Sequence, residues 1–309
     1  MASAATMSEA SGKSDQSGLG LAFATYLIWG LMPVYLLFVR HVPPFELVGW
    51  RIVFTLPLCL LLVLALRQGA ALRAAFRWPT LRLLILSALL VGLNWMIYIA
   101  AVQEGHVLAT SIGYYINPLA NVLAGTLLLG ERLSQRQWLA VGLAAVGVSF
   151  LAWGARDTLW ISLTLAISFS AYGVVRKLAP VESLPGLTVE AVVLQLPALA
   201  LVGWYAQSPA GSAIGPDMAS NLLIAFSGVM TTVPLLMFAI AAKRMDYSAM
   251  GMVQFLSPTI VFFLGLFLFN EPLKPAQLAC FVLIWGAIAV FMWDLWIQRQ
   301  RRLAEVAPA

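Results

Sequence analysis

The chain has 309 residues, of which 61% are hydrophobic and only 10% charged, with a formal net charge of +5. A water-soluble domain carries about 25% charged residues, so this chain cannot clothe itself for water, and a bilayer is its natural solvent. Its basic residues are scattered over short loops, which argues against a nucleic-acid patch and instead reports membrane topology. The two cysteines, Cys59 and Cys280, lie inside apolar runs. They imply no disulfide framework and read as small buried apolar residues.

In chain order, residues 1–17 (MASAATMSEASGKSDQS) are small and polar and read as a disordered tail. The ordered features of a cleaved signal peptide are not among them. Crossing the hydrocarbon core takes about 20 apolar residues in a helix. Segments of that kind are predicted at 19–39, 45–66, 81–102, 107–129, 137–153, 158–175, 186–205, 219–242, 247–269 and 275–297. The connections are short and rich in Gly, Pro and charge, so no soluble domain is inserted. Prolines inside these spans, such as Pro57, Pro118, Pro197, Pro234 and Pro258, are tolerated in membrane bundles and mark kinks. With the N-terminus in the cytoplasm, fourteen Lys and Arg fall on the inner side and three (Arg40, Arg156 and Lys274) outside, with Arg51 inside a span. This bias places both termini in the cytoplasm, residues 298–309 forming the C-terminal tail.

The chain also writes one pattern twice. Tyr114 to Leu133 reads YYINPLANVLAGTLLLGERL, and in the second half, from Gln254, the chain reads QFLSPTIVFFLGLFLFNEPL. The register that sets Pro118 against Pro258 also pairs Ala101 with Ala241, Ala109 with Ala249, Gln137 with Gln277 and Trp153 with Trp293. Two five-helix repeats follow, 18–153 and 158–297. Five is odd, so the second copy enters the membrane upside down. The predicted fold is an all-α integral membrane protein of ten transmembrane helices built from two inverted repeats, an arrangement suited to alternating access.

Several stretches together resemble a known family: YLIWGLMPVY (26–35), ELVGWRIVF (46–54), NWMIYIAAV (94–102), SIGYYINPLANVLAGTLLLGERLSQRQWLAV (111–141), YGVVRK (172–177), TTVPLL (231–236) and QFLSPT (254–259). They look like the drug/metabolite transporter superfamily with two EamA-type halves and, within it, the chloramphenicol-sensitive RarD-type permeases. The resemblance implies ten helices, an inverted repeat, a bacterial inner-membrane location and transport of small organic molecules. It supplies no firm substrate. Related branches export amino acids and other metabolites.

Polar and ionisable groups within hydrocarbon are costly and mark pathways or pair with one another. Arg51 stands out in span 2, as a positive charge able to hold a carboxylate or phosphate, with snorkelling to the surface as the plainer reading. Glu46 is expected at the membrane surface. Glu190, in span 7, is the candidate for proton coupling, with a structural anchor as its alternative. Uncharged candidates for the substrate path are Tyr26 and Trp29 in span 1, Asn94 and Trp95 in span 3, Tyr114 and Asn117 in span 4, Tyr172 in span 6 and Gln254 in span 9. Tyr114, Asn117 and Asn121 are spaced to share a helix face. Pro118 and Pro258 are expected to break spans 4 and 9 and to free a carbonyl on the preceding turn. Glu131 and Glu271, at the far ends of those spans, read as gating or loop-fixing residues paired with Arg132 and Lys274. Trp138, Trp153, Trp160 and Trp293 read as interfacial anchors. The glycines, Gly125, Gly130, Gly142, Gly147 and Gly265 among them, are read as thinning helices for close packing.

No P-loop, HExxH or GxSxG occurs, and the two histidines, His41 and His106, stand apart. ATP hydrolysis, membrane-embedded enzymology, a metal centre and any cofactor are therefore not expected. The partners expected are a small-molecule substrate and the lipid bilayer, not nucleic acid, with the protein a monomer or homodimer. The function expected is secondary active transport of small organic metabolites, such as amino acids, related amphipathic solutes or drugs, in the export direction. A non-transporting membrane scaffold or lipid-binding protein, and an uptake permease for another solute class, remain open alternatives.

Overall fold

The computed structural model describes residues 2–153, 156–209, 211–270 and 275–306. Every regular element among them is helical. In order these are α1 (Ala2–Phe38), α2 (Pro44–Ala65), α3 (Gly69–Ala75), α4 (Trp78–Gln103), α5 (Val107–Leu127), α6 (Gln135–Trp153), α7 (Leu159–Leu178), α8 (Ser183–Ala206), α9 (Met218–Arg244), α10 (Tyr247–Gln254), α11 (Leu256–Phe267) and α12 (Pro275–Val306). α1 begins well ahead of its membrane-length part, Gly18–Phe38. Glu271, Leu273 and Lys274 lie outside the described residues.

The helix starts follow local chemistry. Pro44 opens α2 at the position where a missing N–H costs nothing. Asp217 caps α9, its carboxylate accepting from the backbone N–H groups of Ala219 (3.1 Å) and Ser220 (3.3 Å). Nine stretches among the described residues are long and apolar enough to cross a bilayer. They match the expected spans within a few residues. The expected span at 107–129 is helix α5, but it is not among the nine. Tyr114, Tyr115, Asn117 and Asn121 make it the most polar of the long helices' central stretches. The short α3 was not anticipated and turns up in what read as a loop.

The surface and interior are arranged for lipid. Leu61, Leu64, Leu127, Leu196 and Phe267 point outward and are well exposed, whereas Ser87, Asn117, Asn121, Thr188, Glu190, Thr231 and Gln254 are buried. Trp138, Trp153, Trp160 and Trp293 are exposed, as interfacial anchors would be. Cys59 and Cys280 are free and buried.

Helix pairing crosses between the two halves of the chain. α1 packs on α9, α10 and α11; α7 packs on α4 and α5. α2 lies against α8, α5 against α10, and α6 against α12. The α5–α10 crossing is tight at Gly251, where an added Cβ would lie 2.7 Å from the Pro118 carbonyl oxygen and 3.0 Å from Asn121 Cβ.

The two expected breaks divide. α5 runs through Pro118 without interruption, whereas α10 and α11 part at Phe255. Pro258 then falls in the first turn of α11, where a proline's missing N–H would be unpaired anyway. Pro118 sits mid-helix, and the Tyr114 carbonyl loses its donor there while neighbouring helices hold the geometry. Gly142 meets nothing within 4 Å, so close packing does not explain it.

Candidate functional site

Three groups of side chains lie along the bundle. The first is nearer the end of the α1–α2 turn. Arg51 is about 10 Å along α2, partly buried. Its Nε donates to Thr231 Oγ1 on α9 (2.9 Å), and its guanidinium carbon lies 5.2 Å from the centre of the Trp95 ring on α4. Tyr98 on α4 and Tyr114 on α5 meet edge to face, 5.8 Å apart. Asn94, also on α4, donates to the Leu165 carbonyl (2.8 Å) and to Ser168 Oγ (3.0 Å) on α7, an interhelical anchor.

Glu46, expected at the membrane surface, lies in the first turn of α2 beside the α8–α9 connection. It is fully buried, and Oε1 accepts from Trp50 Nε1 (3.1 Å), Ser212 Oγ (3.0 Å) and the Ala213 N–H (2.8 Å). It ties the α8–α9 connection to α2 through three donors on one oxygen. It makes no ion pair with Arg51, as their five-residue spacing implies.

The second group fills the middle. Trp29 touches Tyr26, Phe169 and Phe238, with ring centres 5.5–5.7 Å apart, and Tyr172 stacks on Phe238 at 5.9 Å. Gln254, at the α10–α11 break, accepts from Asn121 Nδ2 (2.5 Å) and from the Tyr26 hydroxyl (3.5 Å). The Oδ1 atoms of Asn117 and Asn121 are buried without a hydrogen-bond partner.

The third group closes the other end. Glu131, in the α5–α6 connection, reaches across to the start of α10. Its Oε1 accepts from the Tyr247 N–H (2.7 Å), and its Oε2 from the Ser248 N–H (2.8 Å) and hydroxyl (2.7 Å). Lys177 Nζ stands 3.7 Å from Oε1. The carboxylate thus occupies a helix N-terminus, where free N–H groups and the helix dipole favour an anion. Gly125 makes room, since an added Cβ would lie 2.5 Å from Glu131 Oε2. The expected pairing of Glu131 with Arg132 is corrected: Arg132 is exposed, and α10 offers two aligned N–H donors that an adjacent arginine cannot match.

Beside this clasp lies a buried ion pair. Arg176 on α7 is fully buried, with Nη1 3.4 Å from Glu190 Oε1 on α8 and Nη2 donating to the Ser183 carbonyl (2.8 Å). Ser87 on α4 donates to Glu190 Oε1, and the Tyr172 hydroxyl lies 3.5 Å from Oε2. Lys177 donates to the carbonyls of Ala242 (2.9 Å) and Met245 (2.6 Å) at the end of α9, and Lys243 on α9 donates to those of Ala179 and Val181 after α7. Each lysine caps the other's helix.

Of the residues singled out from sequence, Arg51, Trp95 and Tyr114 fall in one region and Tyr26, Trp29, Tyr172 and Gln254 in another. Glu190 and Glu131 belong to the third group. Arg176, Ser87, Lys177 and Tyr98 were missed. Arg176 reads in sequence as one of a pair of loop charges. The available hint is that Tyr172 and Arg176 on α7, and Gly186 and Glu190 on α8, are each four apart and so share a face.

Comparison with known proteins agrees with this architecture. The EamA-like transporter family model matches twice, over residues 16–153 and 158–293. An uncharacterized transporter of Pseudomonas aeruginosa is 39% identical over 286 residues, 92% of this chain and 96% of that protein. Protein RarD of Escherichia coli is 37% identical over 295 residues, covering 95% of this chain and 99% of its own, and protein RarD of Streptomyces exfoliatus is 37% identical over 296 residues, 96% and 94%. A solved crystal structure shares the fold with a TM-score of 0.70 at 20% identity, covering 89% of this chain and 97% of that one. With matches of this reach, the chain belongs to the EamA-like transporter family and to its RarD-type branch.

Proposed function

We propose that the protein is a secondary active transporter that exports small organic metabolites, amino acids or related amphipathic solutes and drugs among them, by alternating access across the bacterial inner membrane. The observation that carries this reading is the pair of consecutive matches to one family model. With α5 counted as the tenth span, each half holds five crossings and the second half is inverted. The pairing of α1 with α9 to α11, against that of α7 with α4 and α5, supports it, because each is the other with the halves exchanged.

On this reading the α1–α2 turn faces outward and the Glu131 clasp faces the cytoplasm. The conformation described is then sealed on the inside by Glu131, Lys177 and the start of α10. Opening inward requires the clasp to part and α10 to tilt against α5 about the Gly251–Pro118 crossing. Glu271, the counterpart of Glu131 in the second repeat, would serve the mirrored gate outside. The substrate path runs from Arg51, Trp95 and Tyr114 past Asn117 to Tyr26, Trp29, Tyr172 and Gln254. The partnerless acceptors of Asn117 and Asn121 leave hydrogen-bonding capacity there for a polar solute. Protonation of Glu190 would loosen its hold on Arg176 and so link proton entry to the inner gate. The test is flux into everted membrane vesicles containing the folded protein. Radiolabelled amino acids or chloramphenicol should accumulate when a proton gradient is imposed, and Glu190→Gln should remove the dependence on that gradient. Vesicles that take up none of the panel would sink the transport reading.

A further inference from the structure

The face of α5 that carries Tyr114, Asn117 and Asn121 turns inward, since both asparagines are buried among neighbouring helices. Yet Tyr114, on the same face, is 50% exposed. We read this exposure, beside the Tyr98–Tyr114 ring pair, as an opening above Asn117 between α4 and α5. Arg51 reaches the same region: its guanidinium lies over Trp95, three residues before Tyr98 on α4, and Tyr98 meets Tyr114. Among the described residues its hydrogen bond is from Nε, to Thr231. Among the described residues no carboxylate stands within ion-pair distance of Arg51, whereas Arg176, Lys177 and Arg136 each have one. Glu46, the acid five residues away, is turned to the α8–α9 connection.

A guanidinium within a membrane bundle is costly without a counter-charge, and its free fork suits a carboxylate's two oxygens. The walls beside it are aromatic: Trp95 lies under the cation, and Tyr98 and Tyr114 form an edge-to-face pair. Among the described residues no acid pairs with Arg51, so none is seen there to partner an ammonium group. We infer that this chamber binds an aromatic monocarboxylate, with the carboxylate on Arg51 and the ring against Trp95, Tyr98 and Tyr114, and that an amino group on the ligand adds nothing to recognition. This deepens the transporter reading, on which it rests, by naming the substrate class.

Binding to the full-length protein in detergent tests it, with phenylacetate, 2-phenylethylamine and L-phenylalanine as probes and the change in tryptophan fluorescence as signal. A charge-assisted pair is expected to favour phenylacetate over 2-phenylethylamine by about tenfold or more. L-Phenylalanine should bind no more tightly than phenylacetate. Arg51→Gln should bring the first ratio to near unity, and Arg51→Lys should keep most of it. The assignment is overturned if phenylacetate shows no saturable binding, if 2-phenylethylamine binds as well, or if L-phenylalanine binds tenfold more tightly. The comparison within the wild type decides the matter even if Arg51→Gln fails to fold. Exchange of labelled phenylacetate in proteoliposomes separates the two readings. Selective binding without exchange leaves the chamber assignment standing and removes transport. Exchange of amines or neutral solutes without phenylacetate binding removes the chamber assignment and leaves transport.

Discussion

At the scale of single residues, the described charges divide into those with partners and those without. Glu131 satisfies two N–H groups at the start of α10. Glu131→Ala should therefore destabilise the protein by about 1–2 kcal/mol, the range for losing a helix cap, and Glu131→Gln by less, as read from melting in detergent. A melting temperature unchanged in Glu131→Ala would mean that the clasp adds nothing to the folded state. The Arg176–Glu190 pair behaves differently. Removing only Glu190 strands a buried guanidinium, so Glu190→Leu should cost about 3–5 kcal/mol, whereas Glu190→Leu with Arg176→Met should recover most of that loss. A double variant as unstable as the sum of the single ones would contradict the pairing. Arg51 and Glu190 were both legible in the sequence because a charge amid apolar residues stands out. Arg176 was not, because in sequence it sits beside Lys177 at the end of a span, where arginine is ordinary. Only the α7–α8 packing shows that it is interior.

At the scale of elements, apolar length located the membrane-length stretches within a few residues, though α1 begins earlier and α12 runs on later, since a long apolar run admits little but a helix in a bilayer. What they could not foresee is which proline breaks its helix. Pro118 and Pro258 occupy matching places in the repeat, yet α5 is continuous and α10–α11 is not. α10 ends at Gln254, the residue whose carbonyl Pro258 leaves without a donor, and it crosses α5 at Gly251, against the Pro118 carbonyl. Gly251→Ala should cost about 1–3 kcal/mol, because backbone rather than a movable side chain stands in the way. Gly142→Ala, which meets open space, should leave melting unchanged or raise it slightly. Equal effects at the two glycines would mean that the crossing is not a tight contact.

At the scale of the whole molecule, the register of the repeat and the bias of basic residues were readable in the sequence, whereas the side-chain groupings were not. Residues that meet across the two halves, such as Asn121 and Gln254 or Glu131 and Ser248, are far apart along the chain. The proposed inverted topology has a direct test. Cys59 and Cys280 are buried, so background labelling by a membrane-impermeant maleimide should be low. Arg132→Cys should then react only from the cytoplasmic side and Lys274→Cys only from outside. Reaction of both from one side would rule out the inverted arrangement. The interlocking of the halves also bears on biogenesis. α1 and α2 find their main packing partners, α8, α9 and α11, in the second half of the chain. During synthesis the first half therefore waits in the bilayer with Arg51, Asn121 and the Glu131 carboxylate not yet matched. A chain cut between residues 153 and 158 and expressed as two pieces should therefore leave each piece with unmet polar groups until it finds the other.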